Sequence, residues 1–421
     1  MARPRTRALD NRPFRWLLLA LAGIPITASY LWWTLLLPFL TRPDFSDQAF
    51  VYTASAAIRS GSDPYGWIAG GYSYGRPVYI YPPFWAWLQQ PLVPLGRENA
   101  ALLLLVLLQL SLAGFLFLLH RALGPVDRQE IVLGLILTLA FVPVLANLWS
   151  DQVNLVVLLA GGVMLAAYVR GDRWWGGAAY GLAMALKPLQ PAVGLLLVFG
   201  RRTRMVVAAV IAGLVASLLP GPVLLARYVA VVFGSAAGAT GFRDNAAPAG
   251  FLERLLHPST FYDGSAPADA ALRVLFVLLI VVVVGVSWWR LGSRPRTKPV
   301  GRSLEVAAAA AASPLLVSIA HSFHLLLLLL PILVLLHAGV ARRDRVAVGM
   351  ALAAWVLIGP VHAAMLSAIG AGFQGDLLLR VWNESQLTGI VILWLGCLRA
   401  LQSSSELQTH PIPSRLDLDA G

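Results

Sequence analysis

The chain has 421 residues, of which 58% are hydrophobic and only 12% charged, with a mean hydropathy of +0.73. A water-soluble domain carries about 25% charged residues, so this composition excludes a soluble protein and predicts an all-α, polytopic membrane protein. The 32 Lys and Arg against 20 Asp and Glu give a net charge of +12, a balance that in a soluble chain would point to nucleic acid. In a membrane chain the same excess marks loops held on the cytoplasmic side during insertion, so the lipid bilayer is the implied partner and nucleic acid is not.

The N-terminal 15 residues carry five arginines and lead into an apolar run over 16–40. That run is too long for the core of a signal peptide and lacks a small-x-small cleavage site, so it reads as an uncleaved first span. Further spans are predicted over 99–120, 129–147, 152–168, 204–220, 269–290, 303–320, 323–340, 346–368 and 385–401, about ten in all. The single cysteine, Cys397, lies in the last of these and excludes an intrachain disulfide.

The stretch 176–200 is different, because Lys187, Pro188, Gln190 and Pro191 fall in its middle. It is either one span or a hairpin of two short helices that leaves on the side it entered. The hairpin places most Lys and Arg in the inner loops, whereas a single span turns over everything that follows and puts the majority outside; the positive-inside rule selects the hairpin. Broken backbone at membrane depth has to be buried in protein or line a cavity, so this re-entrant element is expected to face the functional site. The topology that results has a cytoplasmic N-terminus, short basic inner loops and two long outer loops, 41–98 and 221–268. Residues 1–402 form one integral domain, and the polar stretch 403–421, with Pro411 and Pro413, reads as a disordered cytoplasmic tail. The absence of an internal repeat weighs against a transporter and toward an enzyme with its site on the outer surface; a transporter or lipid flippase is the alternative of another class.

In the first outer loop, Phe50, Val51, Ala54, Ala57 and Ile58 share one face of a short amphipathic helix, expected to lie along the membrane surface. Ser46 is its candidate cap and Gly61 its stop. Asp47 then falls in the first turn, where free N–H groups and the helix dipole favour the ionised carboxylate that a base requires. The alternative is that Asp47 only caps the helix, and Asp44 is the second choice for either role. A run rich in Tyr, Trp and Gly follows up to Tyr79-Ile-Tyr81-Pro82-Pro83, placed either as an interfacial aromatic belt or as ring faces for a sugar.

These motifs have an order: Asp47, Tyr52, Gly61-x-Asp63-Pro64-Tyr65 and Tyr81-Pro82-Pro83; then Gln152-Val-Asn154-Leu; then Gly177-x-x-x-Gly181 running to Lys187-Pro188 and Arg201-Arg202-Thr-Arg204; then Ser313-Pro314, His321 and His324 before a leucine run that ends in Pro331. The series, from about residue 40 to 335, resembles glycosyltransferase family 87 of the GT-C superfamily. The resemblance implies a GT-C-like helical fold and a polyprenyl-phosphate sugar as donor. The sugar, with mannose favoured and arabinofuranose the alternative, would be transferred with inversion to a glycan or glycolipid of cell-wall or lipoglycan type at the outer face of the plasma membrane. No cofactor is expected. The family's loop aspartate usually precedes Phe or Leu, as Asp44 precedes Phe45, but the distance to Pro64-Tyr65 favours Asp47.

The reaction needs a base for the acceptor hydroxyl and cations or hydrogen-bond donors for the departing phosphate. Asp47 is the candidate base. Lys187, His324, His321 and Arg76 are candidates for the donor phosphate, with Arg243 a further one, and Tyr65 and Tyr81 for substrate binding. An ionisable residue at the Lys187 position is a functional candidate because burying it unpaired is costly; a snorkelling or structurally paired lysine is the alternative. No His-x-x-x-His, Asp-x-Asp or cysteine pair forms a credible metal site, and no phosphate-binding glycine loop implies a nucleotide.

Overall fold

Backbone in hydrocarbon must satisfy its own hydrogen bonds, and every regular element among the described residues is a helix. The structure, a computed structural model, describes residues 12–41, 46–65, 79–235, 242–257, 270–291, 296, 298–370 and 376–406. Helix α1 (Arg12–Leu31) passes through a π turn into α2 (Leu37–Thr41). The first long loop contains α3 (Ser46–Arg59) and α4 (Pro83–Gln89). There follow α5 (Arg97–Leu123), α6 (Arg128–Leu139), α7 (Val142–Ser150), α8 (Asn154–Val169), α9 (Trp174–Leu186), α10 (Pro191–Phe199), α11 (Thr203–Leu218) and α12 (Pro222–Ser235). The second long loop carries α13 (Pro248–Leu256), and the chain closes with α14 (Ala270–Leu291), α15 (Pro299–Ala312), α16 (Leu329–Arg342), α17 (Arg345–Val356), α18 (His362–Gly370), α19 (Asp376–Asn383) and α20 (Ser385–Glu406).

Among the described residues, six helices are long and apolar enough to cross a membrane, or up to eight if each of two bent pairs is one span. The sequence pattern, with about ten apolar runs, differs because several runs are interrupted. The run 129–147 is split into α6 and α7, bent by 50°, since Pro143 in the first turn of α7 cannot donate to the preceding helix. The run 303–320 is helical only as far as Ala312; Pro314 turns it into a 3-10 segment, Ser313–Leu316, after which the backbone extends toward His321. After α11 the chain turns by 97° at Gly221, whose φ is +112°, so the second long loop begins as a helix. At the C-terminus α20 continues to Glu406.

Two features position the site. The first is the close approach of α9 to α11. A Cβ on Gly177 would stand 2.0 Å from the Met205 carbonyl oxygen, and one on Gly181 would stand 2.2 Å from that of Ala209. The Gly-x-x-x-Gly spacing therefore brings two backbones into contact, as small residues do between membrane helices. Because 177 meets 205 and 181 meets 209, the two helices run in the same direction, and α10 has to carry the chain back. Arg202 at the end of that return pairs with Asp172 at the start of α9 (2.6 Å). The break between α9 and α10 lies at the far end, at Lys187.

The second is a buried pillar. In α15 every residue from Ser303 to Ala312 is buried, and so is the run from Leu325 to Gly339 entering and forming α16. Small alanines let neighbours pack closely around the first, and leucines fill the space around the second. By contrast α1 and α14 expose leucine, isoleucine and valine side chains, such as Ile24 and Val281, as suits helices that face hydrocarbon rather than water.

Candidate active site

Asp47 stands in the first turn of α3, where the free backbone N–H groups favour negative charge. Its Oδ2 accepts a hydrogen bond from Gln152 Nε2, across 105 residues of sequence. Gln152 lies in the short link between α7 and α8 and is buried. Its carbonyl oxygen accepts from Lys187 Nζ at 2.8 Å. The amide is thus oriented by its partners, NH2 toward the carboxylate and C=O toward the ammonium, and the opposite rotamer would place like charges together on both sides. Gln152 Nε2 is also 3.1 Å from the Tyr81 hydroxyl.

Lys187 is in extended conformation (φ −161°, ψ 112°) where α9 ends, as a residue before proline prefers. Its side chain is 4% exposed. Besides the Gln152 carbonyl, it lies 4.6 Å from the Tyr81 ring centroid and 5.0 Å from that of Phe323. Two aromatic faces stabilise a desolvated ammonium electrostatically.

Phe323 is the link to the histidines. Its ring is edge-on to His324 at 4.5 Å, and the His321 and His324 rings are 5.6 Å apart. The Phe323 carbonyl accepts from Asn147 Nδ2 (2.6 Å) and Asn154 Nδ2 (3.0 Å), which fixes the turn on α7 and α8. The backbone N–H of His321 donates to His324 Nδ1 at 3.1 Å. A nitrogen that accepts is unprotonated, so His324 carries its proton on Nε2, which remains a donor.

Of the residues expected from sequence, Asp47, Tyr81 and Lys187 converge through Gln152, and His324 and His321 adjoin them through Phe323. Tyr65 is buried behind this group: its hydroxyl donates to the Tyr81 carbonyl at 2.8 Å, and its ring packs on Tyr79 and Tyr228. It holds Tyr81 in place rather than facing the polar line. Arg243 lies over the Phe242 ring. Asp44 and Arg76 lie outside the described residues. Gln152 and Asn154 lie in a sequence motif that carries no evident role, and nothing in the local pattern around Phe323 or Asp244 distinguishes them. Asp151, beside Gln152, is 2% exposed with a left-handed backbone (φ 54°), and neither carboxylate oxygen has a hydrogen-bond partner among the described residues. Burial alone pushes its carboxyl well above the usual carboxylate range.

Below the site, α10, α14 and α15 enclose an apolar slit of about 460 Å³ lined by Leu195, Phe199, Val284, Trp288 and Ala309, with Arg202 and Glu305 at one end and Leu316 among its walls. A narrow cleft that includes Gln190, Ser313 and His324 lies between the residues just before α10 and those that follow α15. Among the described residues no three His, Cys, Asp or Glu side chains are grouped to hold a metal ion.

A carboxylate at the start of α3, a buried ammonium at the break after α9 and an imidazole N–H donor near the head of the apolar run Ser322–Arg342 are the parts of an integral membrane enzyme. Residues 79–318, more than half of the chain, match the profile of glycosyltransferase family 87, and the chain belongs to that family. It is a glycosyltransferase. The matched region contains Tyr81, Gln152 and Lys187; Asp47 and the two histidines lie on either side of it. No curated protein matches the chain.

Proposed function

We propose that the protein is an inverting glycosyltransferase that moves a sugar, mannose in the favoured case, from a polyprenyl-phosphate donor to a glycan or glycolipid acceptor at the outer face of the plasma membrane. The observation that carries this reading is the line from Asp47 through Gln152 to Lys187. It sets a proton acceptor and a cation at a fixed separation, with an amide between them that contacts both. In the proposed reaction the acceptor O–H gives its proton to Asp47 Oδ1, the oxygen that Gln152 does not contact, as the acceptor oxygen bonds to the anomeric carbon. The bond from that carbon to the phosphate oxygen breaks, and the electron pair leaves on the polyprenyl phosphate. Lys187 and the Nε2–H of His324 offset the charge that develops there, with His321 and Arg76 as further contacts.

The apolar slit along α10, α14 and α15 supports a lipid-linked donor, since a hydrocarbon chain is the ligand such walls accept. The remaining topology belongs to the same proposal: about ten crossings, α9 and α10 as a re-entrant hairpin, α3 on the membrane surface, a cytoplasmic N-terminus, and one integral domain over 1–402 with a cytoplasmic tail.

The test is Asp47→Asn in membranes supplied with polyprenyl-phosphate mannose. Transfer should fall by roughly 10²-fold or more while insertion and donor binding persist. Undiminished transfer by the inserted variant removes Asp47 as the base, and a wild type that transfers no sugar from any polyprenyl-phosphate donor removes the donor assignment.

A further inference from the structure

A second polar cluster joins the second long loop to the turn that bears the histidines. Asn245 docks the loop: its Oδ1 accepts from the Ala320 N–H (2.8 Å) and the Ala247 N–H (3.1 Å), and its Nδ2 donates to the Ser318 carbonyl (3.0 Å). The Ala246 N–H donates to the Ala320 carbonyl (2.8 Å), giving an isolated antiparallel bridge between Asn245 and His321. Arg254 braces this from behind, donating to the Asn245 carbonyl (2.9 Å) and, in a two-pronged contact at 2.9 and 3.0 Å, to the Glu384 carboxylate.

That docking delivers Asp244 to the histidine turn. Asp244 Oδ1 accepts from the Ser322 hydroxyl and, at 3.4 Å, from the Ser322 N–H. His321 Nδ1 is 3.3 Å from Oδ2, off line for a hydrogen bond but at ion-pair distance. Burial alone would push this carboxyl up; the neighbouring His321, His362 and Ser322 outweigh it and hold Asp244 well below the usual carboxylate range. His362, 1% exposed, lies with Nε2 3.1 Å from Ser322 Oγ.

A serine, a histidine and an aspartate in contact invite comparison with a nucleophilic triad, and the proton positions exclude it. The ionised carboxylate can only accept, so the Ser322 proton points to Asp244, and the serine lone pair receives Nε2–H of His362. The histidine therefore has no lone pair on the serine, and its far nitrogen is buried with no partner among the described residues. In a working triad the carboxylate sits on that far nitrogen. This arrangement is a clamp.

We infer that Asp244 is a positioning residue of the transfer site, which fixes the His321–His324 turn so that His324 presents Nε2–H to the donor phosphate. The inference rests on the reading that His324 contacts that phosphate. The route is short: Asp244 binds the Ser322 backbone and hydroxyl, and the His321 N–H next to it sets the His324 tautomer. Phe323, between them, carries the ring against which Lys187 rests. Asp244 touches no reacting atom in this scheme.

The experiment uses full-length protein in detergent, with Asp244→Asn and Ser322→Ala, and has two readouts. The first is the KM for polyprenyl-phosphate mannose against the KM for the acceptor. The second is the ¹⁵N imidazole spectrum of His324, assigned with His324→Gln. Losing a hydrogen bond to a charged group should raise the donor KM by about tenfold or more in Asp244→Asn, and by less in Ser322→Ala, with the acceptor KM unchanged. The His324 signal should shift from pure Nε2–H to a tautomer mixture. Folded Asp244→Asn with an unchanged donor KM and an unchanged His324 signal overturns the inference, as does an equal rise in both KM values, which marks a merely structural role. Should Asp244→Asn fail to insert, the same criteria apply to Ser322→Ala, which keeps the Ser322 N–H contact. If the wild type transfers no sugar from this donor, the donor assignment fails, and the tautomer signal alone decides whether Asp244 positions His324.

Discussion

Lys187 donates to the side-chain carbonyl of Gln152 at 2.8 Å, in a pair buried from solvent. The amide satisfies the ammonium without neutralising it, and through its NH2 it also holds Asp47. A direct Asp47–Lys187 ion pair would tie the carboxylate to the ammonium; the amide between them contacts both and leaves them unpaired with each other.

Gln152→Leu, similar in size, removes both bonds at once. Leaving a buried ammonium without its acceptor should cost about 1.5–3 kcal/mol of stability, and transfer should drop at least about tenfold. Gln152→Glu retains an acceptor for Lys187, so it should be the more stable of the two, yet it sets a carboxylate against Asp47 and should also lose transfer. Thermal midpoints in detergent and initial rates measure the two effects separately, and an active Gln152→Leu protein would show that the line has no part in the reaction.

The α9–α11 contact predicts a graded glycine series. Gly177→Ala places a methyl 2.0 Å from a backbone oxygen of Met205, whereas Gly213→Ala meets the Gly181 oxygen only at 3.3 Å. The first should cost about 1–3 kcal/mol or more by overpacking, because backbone cannot move aside as a side chain does. The second should cost clearly less. Thermal unfolding of the purified variants tests the order.

Asp151 gives a pH signature in stability. An unfolded aspartate titrates near 3.8, and burial raises the folded value well above that. The neutral acid therefore contributes fully below the unfolded value, and the contribution is lost as pH rises through the raised folded value. Asp151→Asn keeps the shape, tolerates the left-handed backbone and cannot ionise. Its stability relative to wild type should increase with pH across that window; a constant difference would place Asp151 in contact with a cation or water that keeps it charged.

The slit supplies a test of the lipid donor. Ala309→Phe fills it from the α15 side without touching Asp47, Gln152 or Lys187. The KM for a long-chain polyprenyl-phosphate sugar should rise by about tenfold, the order of one buried side-chain contact, while a donor with only two or three prenyl units should be used as before. Equal effects on long and short donors would place the chain elsewhere.

Much of the fold was legible in local pattern. Composition required membrane helices. The spacing of Val51, Ala54 and Ile58 gave α3, with Asp47 in its first turn and Gly61 at its end, where φ is +76°. Pro188 and Pro191 marked the break at Lys187. Prolines also account for the differences, since Pro143 and Pro314 end helices inside runs that are uniformly apolar. Hydropathy averaged over a run does not register one missing N–H.

The partners were not legible. Asp47 meets Gln152 across 105 residues, Gln152 meets Lys187 across 35, and Asp244 meets Ser322 across 78. The sequence alone determined the solvent in which the chain folds, the class of its elements and the residue types with chemistry at their ends, because those follow from periodicity and from the stereochemistry of proline and glycine. Which of those ends meet was decided by tertiary packing alone: by the backbone contact at Gly177 and Gly181, the return through α10, and the docking of the second loop by Asn245. In hydrocarbon all apolar faces are equally content with lipid, so periodicity says which face is apolar and leaves open which neighbour it finds.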